Sequence, residues 1–545
     1  MCRPSLVALL LAAATCAPGR AQADAAPAAN GLAALLPAET VLFVECDDLR
    51  ALVDATLALA HPLPAPAQLG QIALTAAVLA TFGTTLHGVI ADLAPAQVAF
   101  AVVLPKDGRP VPVLLARVSD EAQARARAGK IARLGVYVGD GVCALFPAPG
   151  DVERWRRFVQ SEHPRLADEP ALRAAPALPT PGLRAWFDVA RLRRERSLYG
   201  NLDPGGRFFF GPIATALDRG EDLHAVLHVD AEGLRIEADL DATAVGVEPA
   251  ALLFAAGGAP RLCLPPMSGA LAVVEVDRSL RHYLQHLDDL LPEPVATRVR
   301  GEAANLDLII GGGSFADELL GGVVEPLRFV VVGAPTPTAD DDASDDDAPP
   351  ARPRLDLPGM ALVAKVETER AEQLLNRGFY RFAAIFSAQR AQQQLPPRMP
   401  QVVHDGDLRL HVMRGPAFPG VGDPPTGEQI EATLVFAHGH AVLATTPACA
   451  RQVVAALAGE GATREETLRG DVLRLHGAPI ADYLRRNAGA ITLGRVLDEG
   501  ETIAQARRFV DGIATAIALI DTLELRIEPG PAHTRARLDL RRAPR

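Results

Sequence analysis

Leu36-Pro37-Ala38-Glu39-Thr40-Val41-Leu42-Phe43-Val44-Glu45-Cys46-Asp47-Asp48-Leu49 is the stretch on which the reading of this chain turns. A Pro and a polar pair lead into a β-branched and aromatic run, the composition of a strand. Acidic residues follow, and then a stretch of helical pattern. The segment Leu264 to Leu280 (LPPMSGALAVVEVDRSL) does the same, with Glu275 and Asp277 standing where Glu45 and Asp47 stand, at an offset of 230. The next strand repeats as well. Val98 to Val103 (VAFAVV) matches Leu327 to Val332 (LRFVVV), with Phe100 answering Phe329 at an offset of 229. Two separate segments at nearly one offset are hard to obtain by chance, and self-similarity of this kind is the first thing to seek in a long chain.

The echo continues downstream. Val113-Leu-Leu-Ala116 matches Ala361-Leu-Val-Ala364, with the extra length of the second copy lying in Pro335 to Pro358. Val136 to Pro149 matches Leu434 to Pro447. Asp140-Gly141 and His438-Gly439 read as two-residue hairpin turns, and Pro149 and Pro447 as helix starts. Strand-helix units follow at Leu183 to Arg196 and Val472 to Arg486. Each copy closes on an alternating hairpin, Leu223 to Leu240 turning at Glu232-Gly233 and Leu523 to Leu540 turning at Pro529-Gly530. The expectation is an α+β chain of two similar modules, 24–259 and 260–545 with a boundary near Pro260. Each would be a mainly antiparallel sheet with helices packed on one face.

The N-terminus reads as a secretory signal peptide over 1–23. Arg3 supplies the positive end, Leu6 to Ala14 the apolar core, and Ala21-Gln22-Ala23 the small-x-small cleavage site. Export to the periplasm or the exterior follows. Cys16 raises lipid anchoring as an alternative, although Ala13-Ala14-Thr15 departs from the expected lipobox. Leu69 to Ile90 lacks charge but is rich in Thr and Gly, which suits a buried helix and loop better than a membrane span.

Composition limits the partners. The chain has 545 residues, 49% of them apolar and only 5% aromatic, so a large core of Ala, Leu and Val is expected. The net charge of −12 argues against general binding to nucleic acid or anionic lipid. Cys46, Cys143, Cys263 and Cys449 survive signal removal. They have no CxxC spacing, so zinc or redox chemistry has no support, and buried thiols or one incidental disulfide remain.

Leu36-Pro37-Ala38-Glu39-Thr40 and Val138-Gly139-Asp140-Gly141 resemble the motifs of an uncharacterised family of bacterial exported envelope proteins, a domain of unknown function. Its members open on Leu-Pro-x-x-Thr before a short strand and carry a Gly-Asp-Gly hairpin before a Pro and a helix. The resemblance implies an exported protein of duplicated α+β modules and brings no catalytic residues with it.

Candidate chemistry is thin. Glu45 and Asp47, with Glu275 and Asp277, could do acid–base work or hold a cation; capping of the following helix by Asp47 and Asp277 is the simpler reading. His282/His286, His438/His440 and His224/His228 are spaced to share a face, but the copies share no His, and no metal site or cofactor is expected. Gly311-Gly312-Gly313-Ser314 follows the strand-like Leu306 to Ile310 and precedes a helical run, so Ser314 could be an elbow nucleophile, or the segment a flexible connection. Asp340 to Asp347 could attract calcium weakly but reads as part of a disordered, solvated acidic and Pro-rich loop over 335–358. Arg191, Arg193, Arg194 and Arg196 could meet an anion or the other domain, or simply form a solvated helix face. The expected function is that of an exported, non-catalytic envelope protein that binds a protein or polymer. The alternatives are an exported hydrolase with a site near Ser314 and a cation-responsive structural protein using the acidic loop.

Overall fold

The computed structural model describes residues 31–60, 97–105, 109–128, 135–161, 163–173, 181–192, 220–241, 261–262, 269–333, 355–414, 430–459, 467–468, 470–529 and 533–544, with 203, 206 and 267 singly. The signal peptide with Cys16, the Leu69–Ile90 stretch, the boundary at Pro260, Cys263, the Asp340–Asp347 run and Arg193, Arg194 and Arg196 lie outside the described residues. No described helix is long and apolar enough to cross a membrane.

The chain divides into two compact units, one with bounds 1–198, 214–245 and 530–544, the other 199–213 and 246–529. In the first, the opening stretch forms β1 (Thr40–Cys46). It is followed by β2 (Val98–Val103), β3 (Val111–Arg117), β4 (Gly135–Gly139), β5 (Val142–Phe146), β6 (Gly182–Asp188), β7 (Asp222–Val229) and β8 (Gly233–Asp241). Every pairing is antiparallel, in the order β4-β5-β3-β2-β1-β6-β7-β8.

The second unit begins with the two-residue β9 (Arg261–Leu262). Its sheet is built from β10 (Ala270–Val276), β11 (Val323–Val332), β12 (Gly359–Val366), β13 (Met399–Asp405), β14 (Leu408–Arg414), β15 (Thr433–Ala437) and β16 (His440–Ala444). A short β17 (Thr467–Leu468) pairs with β9, and β18 (Asp471–His476) and β19 (Ile520–Pro529) complete the sheet. The order is β13-β14-β15-β16-β12-β11-β10-β18-β19, again antiparallel throughout. The run β15-β16-β12-β11-β10-β18-β19 thus repeats the order β4-β5-β3-β2-β1-β6-β7. The second unit adds the hairpin β13–β14 outside it.

The last strand, β20 (His533–Arg542), belongs with the first unit, where it pairs antiparallel with β8 from Arg541↔Gly233 to His533↔Asp241. The division therefore differs from a single cut near 260, because the C-terminal strand completes the N-terminal sheet. Alternation along β20 shows that it is a strand and says nothing of its neighbour.

The turns are where the sequence places them. Asp140 (φ 55°) and Gly141 (φ 71°) join β4 to β5, and His438 (φ 51°) and Gly439 (φ 72°) join β15 to β16. Positive φ at both central residues is the type I′ geometry whose twist suits a two-residue hairpin. Pro149 caps the helix Gly150–Val159, and Pro447 is the first residue of the helix Pro447–Ala458, whose cap is Thr446.

Helices cover both faces of each sheet, not one. In the first unit Val113 and Leu115 pack with Val152 and Trp155 of the helix Gly150–Val159. Their neighbours Leu114 and Ala116 pack with Leu49 and Leu52 of the helix Leu49–Ala60. Consecutive strand residues point to opposite faces, so these are two cores. In the second unit Val363 and Val442 meet Val453 and Leu457 of the helix Pro447–Ala458. Leu434 meets Phe379 and Ala383 of the 24-residue helix Glu369–Gln392 on the other side. Strands such as β5 (VCALF) are apolar in both phases, and that is the feature that calls for two covers.

Candidate functional site

The matched carboxylates come first, because both sheets bury them. Glu45 sits opposite Ala99 on β2 and Arg184 on β6. The Arg184 Nε donates to Glu45 Oε1 at 2.8 Å, and a second guanidinium nitrogen pairs with the same oxygen. Burial pushes the Glu45 carboxyl above its usual value, against the pull of Arg184. Glu275 sits opposite Arg328 on β11 and Val472 on β18. Arg328 Nε stands 3.9 Å from Glu275 Oε1. The counter-ion has moved from one flanking strand to the other.

Arg328 also reaches His440 Nε2 at 3.2 Å, while His440 Nδ1 lies 2.9 Å from the His438 carbonyl oxygen. A guanidinium can only donate, so Nε2 must accept, and the proton sits on Nδ1 and is donated to His438. His440 is therefore a neutral, buried ring with both nitrogens engaged, an arrangement that builds structure and leaves no free base.

Helix capping falls on other residues than Asp47 and Asp277. Asp48 Oδ1 accepts from the Ala51 amide at 2.8 Å, and Ser279 Oγ accepts from the His282 amide at 3.3 Å. Asp47 instead accepts from the Gln97 side chain at 2.8 Å. Asp277 accepts from the Gly470 amide at 3.2 Å. Each strand ends just before its aspartate, at Cys46 and Val276, but the helices begin only at Leu49 and Leu280, which hands the cap onward.

Ser314 does not follow a strand. Leu306 to Ile310 is the last turn of the helix Glu293–Ile310, closed by Gly311 in the left-handed region at φ 85°. A strand-turn-helix elbow is therefore absent there. The Ser314 hydroxyl caps a short helical turn, accepting from the Asp317 amide at 3.0 Å with Asp317 Oδ2 at 3.4 Å. The segment borders a shallow pocket of about 180 Å³ lined by Leu284, Leu287, Arg300, Asp307 and Ala316, with no histidine in its lining.

The other histidines are dispersed. His286 ends the helix Leu280–Gln285 and lies 3.2 Å from Asp289. His228 lies 3.6 Å from Asp230. Among the described residues no group of three or more His, Cys, Asp or Glu is placed to hold a metal ion. Arg191 serves its own unit, binding Asp188 at 2.9 Å and donating to the Ala38 carbonyl at 2.6 Å.

Cys46, Cys143 and Cys449 are free and buried. Cys46 and Cys143 share a face, but Val98 and Ala116 lie between them in the register. Three strand spacings, roughly 14 Å, separate them, whereas a disulfide needs Cα atoms within about 7 Å. Burial pushes the thiols up to about 12, 11 and 12 respectively, so none is a nucleophile at neutral pH.

One feature passes unnoticed in the sequence. In the second unit Val274, Phe329, Leu362, Leu443 and Leu434 stand directly opposite one another across five strands. Direct partners share a face. The helix Glu369–Gln392 covers the Leu434 end, but Phe329, Leu362 and Leu443 are 41%, 44% and 44% exposed. Phe382 and Ile385 of that helix are exposed as well. In the first unit the row Val44, Phe100, Leu114, Leu145 and Val136 occupies the same order. There Leu114 is 8% exposed and Leu145 1%, under the helix Leu49–Ala60. In the sequence the signal is β12 (GMALVAKV), which is apolar in both phases.

Comparison with known proteins finds no matching family, no matching curated protein and no matching solved structure.

Proposed function

We propose that this is an exported envelope protein made of two diverged copies of one antiparallel module, acting by binding rather than catalysis. Its contact surface would be the open apolar row of the second unit. That row carries the reading. Contiguous exposed apolar residues cost solubility, and in soluble proteins such patches mark interaction sites. The repeated strand order, the two type I′ hairpins and the matched buried glutamates support duplication. The charge, apolar core and cleavage pattern of residues 1–23 support export, as do the Leu36–Thr40 and Val138–Gly141 motifs. The acidic net charge favours a protein or neutral polymer over nucleic acid.

Two measurements test this. N-terminal sequencing of the protein from an exported fraction is expected to begin at Asp24; an intact Met1 start confined to the cytosol would overturn export. A photo-crosslinking residue at Leu362 is expected to capture a discrete envelope component in cells, whereas one at Lys365, on the other face of β12, is not. Identical patterns at both positions would sink the binding surface. Hydrolysis at Ser314 gains no favouring observation, since its hydroxyl is spent on the Asp317 turn.

A further inference from the structure

The matched apolar rows of the two units are covered differently, and a helix makes the difference. In the first unit Leu49, Leu52, Ala55 and Leu59 belong to the helix Leu49–Ala60 and pack in one cluster with Leu114 and Leu145. Their spacing of three and four residues is that of one helix face. Beneath that face Leu114 on β3 stands between Phe100 on β2 and Leu145 on β5.

In the second unit the chain after β10 takes another course. The helices Leu280–Gln285 and Leu287–Leu290 place Tyr283, Leu287 and Leu290 in a cluster that meets Val274, at one end of the row. The Leu434 end lies under Phe379 and Ala383 of the helix Glu369–Gln392. Between these covered ends Phe329 on β11, Leu362 on β12 and Leu443 on β16 stay exposed. Their three strands hold the places that β2, β3 and β5 hold beneath the helix Leu49–Ala60. The outer two lie two strand spacings apart, roughly 10 Å, and an α-helix with its side chains is about 10–12 Å across. On the same face Val331 and Met360 form the next row to one side, and Ala364 and Ala441 to the other. A floor that is apolar from row to row suits a face of leucine and alanine better than a polar polymer, whose hydrogen-bonding groups would be left unpaired on it.

We propose, on the reading of this row as a contact surface, that it is the seat of an amphipathic helix carried by a partner protein. That helix presents leucine and alanine at three- and four-residue spacing, as Leu49–Ala60 does inside the first unit. The repeat supplies the template. Equivalent strands carry an equivalent apolar row, and where a helix lies on them Leu114 and Leu145 are buried. Helix-in-groove recognition needs an apolar floor between walls, and the helices packed at Val274 and at Leu434 are those walls.

The probe is a fluorescently labelled peptide of residues 47–61. It carries Ala58→Lys joined to Asp54 by a lactam, because both positions are exposed in the protein and a free peptide of this length is marginally helical. Titrated with the full chain and read by fluorescence anisotropy, it is expected to bind saturably. Leu362→Glu or Leu443→Glu in the protein, and Leu52→Glu in the peptide, should each weaken binding about tenfold or more, while Lys365→Gln on the other face of β12 leaves it within about twofold. Two variants of the row keep the result readable if one fails to fold. No saturable binding, or binding indifferent to both Leu362→Glu and Leu443→Glu, overturns the helix seat. So does self-association of the chain in analytical ultracentrifugation that Leu362→Glu abolishes, which would make a second copy the occupant. If the peptide fails while the photo-crosslinker at Leu362 still captures a discrete envelope component, the contact surface stands and the helix alone falls.

Discussion

Glu45 and Glu275 are buried at matching places in two sheets of the same strand order, yet they are neutralised from opposite sides. In the first unit the cation comes from β6 (Arg184), and β2 supplies Ala99. In the second it comes from β11 (Arg328), and β18 supplies Val472. A buried carboxylate needs a partner, but either neighbouring strand can provide it. The rows on the opposite face differ in the same manner: one alignment of apolar residues is sealed by a helix, the other lies partly open.

The comparison can be broken most forcefully at the ion pair. Arg184→Ala should cost about 3 kcal/mol or more, read from urea unfolding followed on first-unit probes, because it strands a buried carboxylate. Adding Ala99→Arg to Arg184→Val moves the cation to the arrangement of the second unit and should recover at least part of that loss. No recovery would show that the two glutamate sites are not interchangeable. Next come the rows. Leu114→Ala should cost about 2–4 kcal/mol and Leu362→Ala less than about 1 kcal/mol, compared by thermal unfolding. Equal losses would mean that the Leu362 row is covered. The smallest effect concerns the caps. Asp48→Ala and Ser279→Ala should each cost about 1 kcal/mol. Asp47→Ala, which leaves the Ala51 amide with its acceptor, should not reproduce a cap loss in the circular dichroism of the helix.

The ion pair of Asp471 with Arg278 sharpens the contrast further, since by strand register Leu183 takes the place of Asp471 in the first unit. Its carboxylate and its guanidinium lie nearly two hundred residues apart in the chain, and the sequence offers no sign that Asp471 meets Arg278.

Local signals were legible wherever the physics is local. Asp140-Gly141 and His438-Gly439 are turns because a two-residue hairpin demands positive φ, and Pro149 and Pro447 begin helices because a first turn does not need the proline N–H. Glu45 and Glu275 stood out in the sequence only as matching positions; their burial did not. Leu306 to Ile310 was misread as a strand, because five apolar-rich residues before a glycine fit a strand and a last helical turn equally well. The caps fall on Asp48 and Ser279, because each helix begins only after two or three connecting residues beyond its strand.

By itself, then, the sequence determined the α+β class and the hairpin turns, since propensity, turn chemistry and alternation act over a few residues. The tertiary structure alone decided which strand lends Glu45 or Glu275 its cation, that β20 joins the first sheet and that helices cover both faces. It also decided that the Leu36–Leu49 stretch and its echo end on different helix caps. Those outcomes depend on which surfaces meet across hundreds of residues, where packing and burial outweigh local preference.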